Sequence, residues 1–263
     1  MDGIEAATAL PRLEFLTVLG SRVDATSYDD AAERILGWAR AGQSRQVCVA
    51  AVSTIMIGHD EPAFREITNR ADLVGPDGMP LVWALRLLGV RQASRVRGTD
   101  LMTAVLSRAS RAGIPVGFYG GAPSVVASLV NRVRTRWPGL DVSYACSPPF
   151  RELSLHEDER IVGEIAASRA RILFVGLGCP KQERWMDAHR ERIPAVMIGV
   201  GAAFDFLSGT KPEAPLFMQQ AGLEWLFRLS TEPRRLWRRY LTQNPRFLWL
   251  IAGQAVRHIV RGS

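Results

Sequence analysis

Residues 171–181 read RILFVGLGCPK. The first five form a short apolar run with β-branched and aromatic members, the composition of a buried strand. Gly176 and Gly178 break the run, and Pro180 opens a helical stretch that continues to Arg192. A strand that hands its carboxyl end to a glycine turn and then to a helix is the repeating half of a βαβ unit. The same order recurs outward in both directions. Residues 13–19, 46–52, 115–119 (PVGFY), 140–145 and 194–200 (PAVMIGV) are further β-rich or apolar runs. Helical stretches are predicted at 24–40, where Ser27 is placed to cap, and at 123–136 and 156–170. Such alternation predicts a mainly parallel sheet covered on both faces, which explains strands without polar alternation. Right-handed crossovers then give an α/β, Rossmann-like layered fold. Near residues 209–215 the character changes to Arg- and Trp-rich helix. The expected division is a Rossmann-like core over 1–209 and a helical, basic appendage over 210–263.

The chain has 263 residues, 47% of them hydrophobic, enough for a sizeable core. Cys48, Cys146 and Cys179 show no metal-ligand spacing, so a reducing compartment is expected. Asp2 and Glu5 stand where a signal peptide carries basic residues, and none is expected. No apolar run approaches the roughly 20 residues of a membrane span. From Arg228 onward there are eight arginines and a single acid, Glu232, which accounts for the whole net charge of +7. A neutral body with a basic end points to an anionic partner for that end.

Ligands of such sheets bind at the carboxyl ends of the strands. The loops there are 75–80 (GPDGMP), 120–122 (GGA), 176–181 (GLGCPK) and 199–205 (GVGAAFD). Gly-rich turns that open helices present free N–H groups to phosphate; they also arise wherever a turn needs positive φ. Gly176-x-Gly178 is not a dinucleotide fingerprint, because the third glycine is replaced by Lys181. There is no phosphate-binding Walker loop, no nucleophile elbow and no zinc-like spacing among the four histidines. Trp185 reads as core. Asp77 precedes a helix, so it suits an N-cap or Asx turn, the reading favoured locally; the functional alternative is a general base.

The C-terminal end reads as amphipathic helix. Leu236, Trp237, Tyr240 and Leu241 recur at helical spacing, flanked by Arg234, Arg235, Arg238 and Arg239. An interfacial membrane helix has this composition, and so does a packed helix with a solvated basic face. No nucleic-acid-binding motif is present, and no nucleic-acid partner is expected.

Several blocks resemble a known family. They are Asp77-Gly78-Met79-Pro80, then 95–101 (RVRGTDL), 118–121 (FYGG) and 176–183 (GLGCPKQE) with Trp185. Gly199-Val200-Gly201, Phe204-Asp205 and Gly209 follow, and last come 222–229 (GLEWLFRL), 232–235 (EPRR) and Arg238-Arg239. Their order and spread over nearly the whole chain are similar to the WecG/TagA/CpsF glycosyltransferases, the N-acetylmannosaminyltransferase family. The resemblance implies inverting transfer of a hexose from a UDP-sugar to an undecaprenyl-diphosphate-linked sugar, in cell-surface polysaccharide synthesis. N-acetylmannosamine is preferred as the donor sugar, with UDP-glucose the alternative; a non-catalytic module that binds lipid-linked glycan is the rival class. The resemblance makes Asp77 the catalytic base. The donor-binding candidates are Gly120, Gly121, Gly176, Gly178, Lys181, Gln182, Glu183, Gly201 and Asp205. Arg97, Arg228, Arg235 and Arg238 are candidates for the diphosphate and the acceptor, a role suited to the planar guanidinium fork. No Asp-x-Asp pair is present, so neither a metal nor a cofactor is expected, and cations with loop N–H groups would hold the leaving diphosphate. The expected location is cytoplasmic, peripheral on the inner face of the membrane, with self-association left open. One departure stands out: the Thr-x-Asn common in the family appears here as Val49 and Ala51, with Ser53 and Thr54 just beyond.

Overall fold

The computed structural model describes residues 13–262. Asp2 and Glu5 lie outside the described residues, as do the side chains of Arg239 and Arg261. Strands β1 (Phe15–Val18) and β2 (Ser21–Asp24) form an antiparallel hairpin. Leu19 and Gly20 both take positive φ, 51° and 92°, in its two-residue turn. That geometry matches the right-handed twist of the flanking strands. Helix α1 (Tyr28–Arg40) follows, and the Ser27 side chain caps it by accepting from the Asp30 N–H, as its sequence position predicts.

A six-stranded sheet forms the centre. Its strands are β3 (Arg45–Ala50), β4 (Leu73–Pro76), β5 (Val116–Gly120), β6 (Val142–Cys146), β7 (Ile172–Gly176) and β8 (Val196–Gly199). The spatial order is β4-β3-β8-β7-β5-β6 and every pairing is parallel. Strand residues alternate between two cores. Val47, Ile172, Phe174, Val196 and Ile198 enter one cluster, and Cys48, Leu173, Val175 and Met197 enter the other. Both faces are therefore apolar, and the runs read as continuous rather than alternating.

The connecting helices are α2 (Val52–Asp60), α3 (Pro62–Asn69), α4 (Met79–Leu87), α5 (Gly98–Ala112), α6 (Pro123–Arg136), α7 (Leu155–Ala167), α8 (Lys181–Ala188) and α9 (Ala203–Leu207). Helices α2 to α5 and α9 and strands β2 and β4 lie outside the runs predicted from sequence; the other strands and connecting helices fall on predicted runs. Beyond them come α10 (Leu216–Gln220), α11 (Glu224–Thr231), α12 (Pro233–Arg238), a π-helical segment (Arg239–Gln243) and α13 (Asn244–Gly262). Helix α13 lies against the core. Phe247, Ile251 and Ala255, spaced four apart on one face, join the same buried cluster as Ile55 and Leu81. Arg246 forms a two-pronged ion pair with Asp60 at 2.6 and 2.7 Å. Gln254 accepts from the Leu19 N–H and donates to the Thr17 carbonyl, which ties α13 to the hairpin. Through α13, the region beyond residue 209 contributes side chains to the main core. Among the described residues no helix is long and apolar enough to cross a membrane.

Candidate active site

The carboxyl ends of β3, β4, β7 and β8 open into a cleft beneath α11. Asp77 is the first residue past β4, and its N–H donates to the Ala50 carbonyl at 2.7 Å, which continues the ladder by one step. The cap position of α4 belongs to Gly78, at φ 96° and ψ 144°, so Asp77 does not cap this helix. Its half-buried carboxylate faces the cleft instead. Burial and the nearby Glu224 carboxylate push its pKa up from 3.8 to about 6, opposed by Arg228, Arg95 and Arg97. A carboxylate poised near neutrality that opens on a cavity has the properties of a general base.

Two adjoining cavities share Ala51, Asp77, Glu224 and Arg228. The first, about 650 Å³, is also lined by Val52, Ser53, Met79, Pro80, Arg95, Trp225, Tyr240 and Asn244. The Ser53 hydroxyl is buried and has no hydrogen-bond partner among the described residues. The second, about 810 Å³, is walled by the glycine loops: Gly178, Gly199, Gly201 and Gln182, with Arg97, Gly98, Thr99 and Arg235. Gly98 and Thr99 open the first turn of α5, 15 residues long, and bring the positive end of its dipole to this cavity. Both residues belong to the 95–101 block and were not among the site candidates; a Gly-Thr pair at a helix start is the signal that could have found them.

Gln182 holds the two glycine loops together. Its side-chain oxygen accepts from the Gly178 N–H at 3.2 Å and the Gly201 N–H at 3.0 Å, while its amide donates to Glu183 at 2.9 Å. The loops are also closely fitted. A Cβ on Gly120, at φ 117°, would meet the Gly176 backbone at 2.6 Å, and one on Gly176 would meet the Phe204 ring at 2.6 Å.

The sequence candidates separate into groups. Asp77, Arg97, Gly178, Gln182, Gly201, Arg228 and Arg235 line the cleft. Gly121, Gly176 and Lys181 line a separate groove beside Tyr119 and Trp185. Trp185 is sandwiched there between Tyr119 and His189, each 4.4 Å from it between ring centroids. Gly120 and Glu183 are buried. Asp205 pairs with Lys211 at 3.1 Å, outside both cavities. Arg238 lies exposed against the Trp237 ring.

The arginines differ in what they are free to hold. Arg97 has a buried side chain whose charge is offset by Glu213 at 2.7 Å, Glu224 at 3.3 Å and Asp100 at 3.4 Å. Arg228 packs over the Phe206 ring, and its buried Nε has no hydrogen-bond acceptor among the described residues. A buried guanidinium N–H left unanswered at a cavity wall suits an incoming anion. Arg235 is half exposed and pairs with Glu232 at 2.7 Å at the rim of the second cavity. The positions of the departing Thr-x-Asn, Val49 and Ala51, both line the second cavity, as does Thr54, whose hydroxyl accepts from the Ala51 N–H at 3.2 Å.

A parallel sheet with helices on both faces, a carboxylate and cations gathered at its strand ends, and glycine turns facing that cleft defines a Rossmann-like protein with a ligand cleft suited to an anion. Residues 16–261 match the model of the glycosyl transferase WecG/TagA/CpsF family, and the chain belongs to that family. It is similar to a protein of Bacillus spizizenii (strain ATCC 23059 / NRRL B-14472 / W23), 35% identical over 182 residues that span 69% of this chain and 68% of the relative. That relative is an N-acetylglucosaminyldiphosphoundecaprenol N-acetyl-beta-D-mannosaminyltransferase.

Proposed function

We propose that the protein transfers a hexose, N-acetylmannosamine in the preferred reading, from a UDP-sugar to an undecaprenyl-diphosphate-linked sugar, with inversion at the anomeric carbon. The observation that carries this reading is the pairing, across one cleft, of the Asp77 carboxylate with the unanswered Nε of Arg228. Asp77 takes the proton of the acceptor hydroxyl as its oxygen bonds to the anomeric carbon. The bond from that carbon to the diphosphate oxygen breaks, and UDP departs with the bonding pair. Arg228, with Arg235 at the rim and the N–H groups of the α5 first turn, answers the charge on the departing diphosphate. No metal or cofactor is given a step. Family membership and the activity of the Bacillus relative support the acceptor class.

The acceptor is placed in the first cavity, whose apolar wall of Val52, Met79, Pro80 and Trp225 continues toward α13. Helix α13 turns Leu248, Trp249, Val256 and Val260 outward, with Trp249 75% exposed. In this reading that face, flanked by arginines, rests on the inner leaflet and brings the cleft to its lipid-linked substrate. Replacing Asp77 by Asn is expected to lower UDP release in the presence of lipid-linked acceptor by on the order of 10²–10⁴-fold. Near-wild-type release would overturn the assignment. A thermal-shift panel of UDP-N-acetylmannosamine and UDP-glucose decides the donor, because the bound sugar raises apparent stability by mass action. The apolar Val49 and Ala51 on the second cavity are the observation that favours the binding-module reading; absence of UDP release when lipid-linked acceptor is added, with glycan binding retained, would support it.

A further inference from the structure

We propose that Glu224 is a positioning residue that couples the seating of α11 over the cleft to the chemistry at Asp77, an inference that rests on Asp77 being the base. Glu224 stands at the first position of α11 and lines both cavities. Its two carboxylate oxygens face different arginines of the core: one lies 3.4 Å from Arg95 Nη1, the other 3.3 Å from Arg97 Nε. Arg97 also binds Glu213 and the Gln219 side chain, and Arg95 also donates to the Gln219 carbonyl at 3.2 Å. Two arginines from the core thus gather three residues from the region beyond 209. Glu224 alone among those three lines the cavities.

This arrangement has an electrostatic consequence. The charged groups acting on Asp77 are Glu224 and Arg228 of α11, and Arg95 and Arg97 of the segment between α4 and α5. With α11 seated, Glu224 occupies Arg95 and Arg97 and adds a like charge near Asp77. Both effects make Asp77 a stronger base. With α11 displaced, Arg228 leaves together with Glu224, so the two opposite charges of the helix go at once; the burial of Asp77 is relieved, and Arg95 and Arg97 face it without counter-charge and hold it ionised and weakly basic. The base is therefore strong only when the helix that covers the acceptor cavity is in place.

The test is the pH profile of kcat/KM for transfer to lipid-linked acceptor, for folded variants checked by circular dichroism. Glu224→Gln keeps the size and hydrogen-bonding reach of the side chain and removes its charge. It is expected to move the acid limb to lower pH by about one unit. Glu224→Asp retains the charge and is expected to restore much of the limb. Arg95→Gln removes an opposing cation and is expected to move the limb the other way, to higher pH. It serves as the independent measurement should Glu224→Gln fail to fold. An acid limb that stays at its wild-type position in Glu224→Gln and Arg95→Gln, while Asp77→Asn is inactive, overturns the Glu224 inference alone. Retained transfer by Asp77→Asn overturns the base assignment and this inference with it.

Discussion

At the scale of single residues, Asp77 shows how position decides chemistry. Its local sequence favours a helix cap, yet the cap position falls one residue later, on a glycine with positive φ. The carboxylate is left without its expected local partner and opens on the cavity. A stability signature follows. Folded Asp77 holds its proton up to about pH 6, whereas the ordinary carboxylate value is 3.8. Between those values the folded state binds more protons than the unfolded chain, so stability declines as pH rises. Asp77→Asn lacks this term. It is expected to unfold at a higher temperature than wild type at neutral pH, with the difference vanishing near pH 3.8; calorimetry at both values checks it. Gly120 makes a second residue-scale case, since a Cβ would meet the Gly176 backbone at 2.6 Å in a φ of 117°. Gly120→Ala is expected to cost more than about 1 kcal/mol in urea unfolding. The glycine turns were legible from sequence, because they are local patterns at strand ends; Asp77 was singled out by the family resemblance, since its local pattern favours a cap. The Glu224 contact was not: its partner Arg95 lies 129 positions away, and no periodicity connects them.

At the scale of elements, the strands were readable because burial on both faces leaves apolar runs, and α1, α6 and α7 because their caps or apolar spacing are local. Helix α2 buries Ser53, Thr54, Ile55, Met56 and Gly58, so it is covered on too many sides to display a single stripe. Helix α4 begins at Gly78 and Pro80 without a polar cap. Helix α5, by contrast, carries Leu101, Val105 and Ala109 at spacing four, a signal that was present in the sequence. Helix α13 has two apolar faces with different expected roles. Phe247→Ala, on the inner face, is expected to lose about 3–5 kcal/mol of stability through the cavity it leaves. Trp249→Ala, on the outer face, is expected to leave the unfolding midpoint unchanged and to weaken flotation with anionic vesicles. Equal flotation by Trp249→Ala and wild type would remove that face from the docking account.

At the scale of the whole molecule, charge and fold are segregated. The net +7 resides in the last part of the chain, while the sheet and its clefts sit in a body near neutrality. Only a share of those arginines is free to meet a membrane: Arg246 is taken by Asp60, Arg235 by Glu232, and Arg228 faces the cleft. Vesicle binding is therefore expected to combine a salt-sensitive part with an apolar part that survives salt, which sedimentation at two ionic strengths separates. The overall architecture was legible as an alternation of short runs and helices. The docking of α13 against the hairpin, through Gln254 and the backbone of Thr17 and Leu19, was not, because it joins residues more than two hundred positions apart. The whole account turns on whether the carboxylate past β4 carries the proton in the transfer step. The most direct measurement is kcat/KM for sugar transfer from a UDP-sugar to a lipid-linked acceptor as a function of pH. The account predicts a tenfold fall per pH unit below about 6, where Asp77 becomes protonated. A rate that stays level well below that value would contradict it.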